Sequence, residues 1–148
     1  MSFRPAGSSD VATVRAIAEA AYEPYVAAIG RPPAPMVADF AAAAAAGDLF
    51  LLEEEGQAVG YIHLYAKGED LHIENLAVAP QARRRGHARR LLAFAETQAR
   101  ARGIARLDLY TNEVMEAAFG LYIAAGFEEV DRRVEAGFRR IYLRKTVT

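Results

Sequence analysis

The chain has 148 residues, 53% of them hydrophobic and 25% charged, with a formal net charge of −1. This is the composition of one globular domain with a real core, and the balanced charge excludes a polycation built to coat nucleic acid. The absence of cysteine removes disulfides, a thiol nucleophile and thiolate metal sites. Three scattered histidines lack the spacing of metal ligands, so no metal centre is expected. Residues 1–5 have no apolar leader core, and the small-residue run over 41–46 is far too short to span a bilayer. A cytoplasmic protein without membrane contact is therefore expected.

In chain order, residues 3–6 read as a short edge strand. Ser8, Ser9 and Asp10 offer helix N-caps. Val11, Val14, Ala18, Ala21, Tyr22 and Tyr25 then recur at helical spacing, which predicts a helix over residues 10–29 that Pro24 breaks or kinks. Residues 30–35 hold three prolines and read as a stiff loop over a cleft. The Ala-rich residues 36–46 predict a second helix, ended by Gly47. Residues 49–54 and 58–65 form a hairpin around Glu55 and Gly56. Residues 71–78 follow as a central strand whose alternation slips: Leu71 and Ile73 are in one phase, Leu76 and Val78 in the other. Either a β-bulge or a strand buried on both faces produces that pattern.

Residues 86–102 give the clearest helix, with Ala88, Leu91, Leu92, Ala95 and Ala99 in one stripe. Residues 106–111 make a strand. Met115, Ala118, Phe119 and Tyr122 mark a short helix ended by Gly126, and residues 128–135 and 138–145 form a last hairpin. The element order implies an α/β (α+β) fold, a mixed, mostly antiparallel central sheet of about seven strands with helices on both faces. It forms a single domain over residues 1–148. The strand edges of the last hairpin would allow a homodimer.

The segment with the most chemistry lies between the central strand and the clearest helix. After Pro80 come Arg83, Arg84, Arg85, Gly86, His87, Ala88 and Arg89. A helix start presents unpaired N–H groups and the positive end of a dipole. A basic, glycine-bearing loop leading into it suits a ligand with a diphosphate, and Gly86 lets the backbone approach without a Cβ in the way. Nucleic acid is the weaker partner, because the net charge is near zero and no aromatics interleave with the arginines.

The run Arg83-Arg84-Arg85-Gly86-His87-Ala88 fits the signature of Arg or Gln, two residues, Gly, one residue, then Gly or Ala. Downstream, Leu121-Tyr122-Ile123-Ala124-Ala125-Gly126-Phe127 fits a Leu-Tyr-x-x-x-Gly-Phe segment. With these motifs on the right elements in the right order, the chain resembles the GCN5-related N-acetyltransferases (GNAT superfamily) along nearly its whole length. It departs at Arg84, where glycine is common, at His87, where an aliphatic residue is common, and at Ala118, where many relatives carry a cofactor-holding asparagine.

The resemblance implies acetyl-CoA as co-substrate and direct transfer of its acetyl group to a primary amine. The acceptor would be a small or amino-acid-like molecule, or a peptide. It implies that Leu76 and Val78 pair with the pantetheine arm through their main chains, and that an N–H at Leu76 or Ala77 faces the thioester carbonyl. It also places Asn112 beside the cofactor at a strand end. Spacing alone makes Tyr122 a core residue; the resemblance makes it the acid that protonates the leaving thiolate. For the base, His72, Glu74 and ordered water all remain open. The acceptor side is expected at residues 30–35, Tyr22, Tyr25, Asn112 and Arg139. A non-catalytic acyl-CoA-binding module is the competing reading; it would keep the arginine loop and be indifferent to Tyr122.

Overall fold

A computed structural model of the chain describes residues 1–147. Seven strands form one sheet in the order β1-β2-β3-β4-β5-β7-β6. They are β1 (Ser2–Pro5), β2 (Leu49–Glu54), β3 (Gln57–Lys67), β4 (Asp70–Val78), β5 (Arg106–Asn112), β6 (Glu128–Glu135) and β7 (Phe138–Thr146). All neighbouring strands are antiparallel except β4 and β5. This is the mixed, mostly antiparallel sheet the sequence implies.

The helices are α1 (Val11–Tyr22), α2 (Val26–Ile29), α3 (Phe40–Ala45), α4 (His87–Ala101) and α5 (Glu116–Ala124). One follows the sequence expectation and one differs from it. The helix predicted over residues 10–29 is interrupted by a 3-10 turn at Glu23–Tyr25, because Pro24 has no N–H to give and its ring crowds the turn before it. The helix predicted over 36–46 is shorter. Residues Ala34–Val37 form a 3-10 turn, Ala38 is extended, and α3 starts only where the Asp39 carboxylate accepts the N–H of Ala42 at 3.0 Å.

Helices cover both faces of β3 and β4. Gly60 faces Leu91 of α4, whereas its neighbour Tyr61 meets the edge of Phe40 in α3, ring centroids 5.4 Å apart. Successive strand residues point to opposite faces, so α4 lies on one side and α1 with α3 on the other. Val14, Ile17 and Ala18 of α1 and Leu91, Leu92, Ala95 and Ala99 of α4 are buried in the two halves of the core. Along β5 only Leu107, Leu109 and Thr111 are buried, and the intervening Asp108, Tyr110 and Asn112 stay partly open.

The phase slip in β4 is a bulge. His63 pairs with Asn75 and Leu64 with Ile73, so Glu74 has no opposite residue on β3. The strand is also buried on both faces over most of its length, so both sources of the sequence pattern are present. On its other side β4 pairs with β5 only at Leu71–Leu107 and His72–Asp108. Beyond that point the two strands part.

Gly60 sits where this geometry is tightest. A Cβ there would meet the carbonyl oxygen of Ala77 at 3.0 Å and Leu91 at 3.4 Å. Gly60→Ala is expected to cost about 1–3 kcal/mol through overpacking between β4 and α4. Urea denaturation measures it; an unchanged midpoint would mean that α4 does not need this close approach.

Candidate active site

The fork between β4 and β5 opens into a cleft. Its inner end is lined by Glu74, Asn75 and Leu76 of β4, by Tyr110 and Asn112 of β5, and by Tyr122 of α5. Tyr22, Leu76, Met115, Ala118 and Tyr122 are shared with a second stretch that runs past Ala77 and Val78 to Arg83 and Ala88. Val78, Arg83, Ala88 and Leu121 are shared with a third, at the start of α4. The three join into one channel from the arginine loop to the bulge.

At the loop end, α4 begins at Gly86, whose φ of +79° is left-handed, with no side chain capping the helix. The first-turn N–H groups therefore have no intrahelical acceptor and no cap. Arg84 also adopts a left-handed φ, +66°, at the position where the sequence departs from glycine. A non-glycine residue there costs about 1–2 kcal/mol of backbone strain. Arg83, Arg84 and Arg89 are exposed and make no ion pair among the described residues. Arg85 turns to Glu54 at 3.3 Å. The His87 side chain is buried, 3.1 Å from Arg90 and 3.6 Å from Glu54. His87 thus offers the channel its backbone, while its ring supports the loop from behind.

Midway, the Tyr22 hydroxyl donates to the Leu76 carbonyl at 2.8 Å. On the side away from β3, β4 has no strand partner here, so Leu76, Ala77 and Val78 carry an open strand edge along the channel. Tyr122 stands where the channel meets the inner cleft. Burial pushes its phenol up to about 12, so it stays protonated at any working pH.

At the inner end the bulge turns Glu74 into the cleft. Its Oε2 lies 2.8 Å from Nε2 of His72 and accepts from the Tyr65 hydroxyl at 3.1 Å. The bond to His72 holds the carboxyl below its ordinary range against the opposing effect of burial. His72 itself is only 3% exposed, and its Nδ1 lies 3.1 Å from Asp108 Oδ1. Burial works against the charged ring, but the bonds to Asp108 and Glu74 outweigh it and raise the pKa to about 8.

The outer wall joins segments far apart in sequence. Pro33, Ala34 and Pro35 line the cleft as the sequence anticipates, together with Tyr22, Phe138 and Arg140. Arg31 donates to the Ala136 carbonyl, and its guanidinium lies 3.7 Å from the centre of the Phe138 ring. A Cβ at Gly137 would collide with it. The Arg140 guanidinium is stacked 4.2 Å over Tyr110 and held by Glu135 at 2.9 Å. Tyr25 belongs to the middle of the channel, and Arg139 to a neighbouring groove.

The fold thus brings Glu74, His72 and Tyr122 to one end and Arg83, Arg84, Gly86, Ala88 and Arg89 to the other, joined by Leu76, Ala77 and Val78. Asn112 lies at the inner cleft, its Oδ1 taken by the N–H of Val114 at 3.1 Å, away from the loop end. Sequence reasoning missed Asp108 and Arg140. Only the alternation of Leu107 and Leu109 hinted that Asp108 faces away from the core.

Comparison with known proteins agrees with this architecture. The family model described as "Acetyltransferase (GNAT) family" matches residues 14–127. The chain belongs to the GNAT acetyltransferase family. Among solved structures it is similar to the ribosomal-protein-S18-alanine N-acetyltransferase from Escherichia coli, at 19% identity and a TM-score of 0.76 over 99% of this chain and 94% of that one. It is also similar to the PaiA N-acetyltransferase from Thermoplasma acidophilum in complex with coenzyme A, at 14% identity and a TM-score of 0.80 over 98% of both chains. A third is a GCN5-related N-acetyltransferase from Rhodopseudomonas palustris, at 24% identity and a TM-score of 0.77 over 98% of this chain and 94% of that one. No curated protein matches by sequence. Among the described residues no helix is long and apolar enough to cross a membrane.

The raised pKa of His72 makes a stability prediction. Its contribution is complete below about pH 6.5, the unfolded value, and drains away as pH rises through about 8. It is on the order of 2 kcal/mol. The stability gap between wild type and His72→Gln, read by urea denaturation, is expected to be wide at pH 6 and narrow at pH 9. A gap independent of pH would mean that the ring is not held charged between its two carboxylates.

Proposed function

We propose that this protein transfers the acetyl group of acetyl-CoA to a primary amine by direct attack through a tetrahedral intermediate. The observation that carries the reading is the continuous channel from the uncapped start of α4 to Glu74, with Tyr122 at the point where it meets the inner cleft. Backbone N–H groups at residues 85–88 hold the diphosphate, and Arg83, Arg84 and Arg89 add charge around it. Arg85 contributes backbone while its side chain stays with Glu54. Pantetheine amides then pair with the main chain of Leu76 and Val78 as an added strand. This brings the thioester to the bulge, where an N–H at Leu76 or Ala77 polarises its carbonyl.

The attacking amine must be neutral. Glu74 is the carboxylate that faces the cleft and takes the ammonium proton, directly or through water. His72 does not line the cleft and acts through Glu74. As the intermediate collapses, Tyr122 gives its proton to the leaving sulfur and regains one from the nitrogen. Its high pKa keeps that proton in place until charge builds on the sulfur. Walls formed by Pro33, Ala34, Pro35 and Phe138 favour a small amine over a folded protein surface. The unpaired edge of β6 supports pairing of two copies away from this cleft.

Two outcomes follow. Thiol release from acetyl-CoA across a panel of amines, polyamines, amino acids and peptides is expected to find one productive acceptor class, with kcat reduced at least tenfold in Tyr122→Phe. Full activity in that variant would remove Tyr122 from the chemistry. Gly86→Ala adds a Cβ to a left-handed residue facing the phosphate site, and is expected to weaken acetyl-CoA binding about tenfold by calorimetry. Unchanged affinity would place the diphosphate elsewhere.

A further inference from the structure

The group that takes the amine proton does not stand alone. Glu74 is one end of a chain of three side chains from two strands. Nε2 of His72 lies 2.8 Å from Glu74, and Nδ1 lies 3.1 Å from Asp108. The ring is buried, while the side chains of Glu74 and Asp108 are 33% and 29% exposed. Glu74 lines the cleft; His72 and Asp108 do not. Filling the cleft with pantetheine and acceptor therefore covers Glu74 and leaves Asp108 as it is. The His72–Asp108 contact is also the last residue pair joining β4 to β5 before they part. The same pair that anchors the fork orients the ring.

We propose that Asp108 is a positioning residue for the reaction: it fixes His72 with Nδ1–H toward itself and Nε2 toward Glu74, so that Glu74 and His72 accept the acceptor's proton as one unit. This rests on the acetyl-transfer reading of the cleft. Both neighbours of the ring are carboxylates and only accept, so the charged ring donates from both nitrogens. When it gives up one proton, Asp108 keeps the Nδ1–H and Nε2 becomes the acceptor facing Glu74. The N–H bond of the ammonium breaks and its proton passes to Glu74 and on to Nε2. The new imidazolium is stabilised by the Asp108 carboxylate, which keeps its own charge. When the product leaves, the proton passes from Nε2 back through Glu74 to water. A carboxyl held below its ordinary range is a poor store for a proton, and a buried ring between two carboxylates is a good one.

The other groups around the ring are Tyr110 on β5, with its ring 6.1 Å away, and Tyr65 and His63 on β3. The tyrosines are neutral at working pH, and burial lowers the pKa of His63. Asp108 and Glu74 supply the opposing charge. The neutral ring is the active form, so kcat/KM is expected to rise with pH through a limb near pH 8.

The test uses Asp108→Asn and Asp108→Glu in the full chain, with two readouts. The first is the ring titration of His72 by NMR in the free protein; with only three histidines, single substitutions assign it. The second is the pH dependence of thiol release from acetyl-CoA with the productive amine of the panel. In Asp108→Asn the titration and the acid limb are both expected to move down by about one unit or more, with a lower plateau and little change in KM. Asp108→Glu, which keeps the carboxylate, is expected to restore both. A titration that does not move overturns the proposal. A titration that moves while the acid limb stays in place overturns it as well, because His72 then takes no part in accepting the proton. A wild type inert toward every amine overturns the acetyl-transfer reading and the catalytic role with it. The NMR arm tells these failures apart, since it needs no turnover.

Discussion

The structure turns on the point where β4 leaves β5. A single extra residue, Glu74, interrupts the register with β3, and only two residue pairs hold β4 to β5 before the strands diverge. Strand separation normally leaves unpaired backbone groups that must find other partners. Here it leaves the edge of Leu76, Ala77 and Val78 facing a channel rather than another strand. The bulge thus does three things at once. It opens the cleft, frees a strand edge within it, and turns a carboxylate inward that regular alternation would have aimed elsewhere.

The remaining elements hold this opening in place. On one side α4 presses Leu91 against Gly60, which brings the uncapped helix start beside the end of β4. On the other, the broken helix at Pro24 delivers the proline loop over the cleft, and Arg31 ties that loop to the tip of the last hairpin. The charged groups follow the same logic. His72 is buried at the crotch of the fork, where an uncompensated charge would be costly, and it is compensated from both strands. Left-handed Arg84 and Gly86 shape the loop, around which Arg83, Arg84 and Arg89 are exposed and make no ion pair among the described residues.

Much of this is written locally in the chain. Helix stripes, turn glycines and the basic loop are short-range patterns, and they placed the arginine loop, Gly86 and the strand beneath it. The slip between Ile73 and Leu76 pointed to the bulge but could not separate it from two-sided burial, and both turned out to be present. What stayed hidden depends on contacts between distant segments. Asp108 meets His72 only because β4 and β5 pair in parallel across an intervening helix. Arg31 meets Phe138 only through loop closure over more than a hundred residues. The early end of α1 was foreseen through Pro24, whereas the late start of α3 was not, because Asp39 competes as a cap within an Ala-rich run that otherwise reads as helix.

The central claim is that the opened edge of β4 and the start of α4 form one binding path for a coenzyme A thioester. Backbone amide chemical-shift mapping with coenzyme A tests it most directly, because it reports residue by residue and needs no acceptor. The account predicts that shifts concentrate at residues 76–78, at 83–89 and around Tyr122, while β1, β6 and the exposed face of α4 stay unchanged. Saturable shifts that leave residues 76–78 and 83–89 untouched, or no shifts at millimolar ligand, would contradict it.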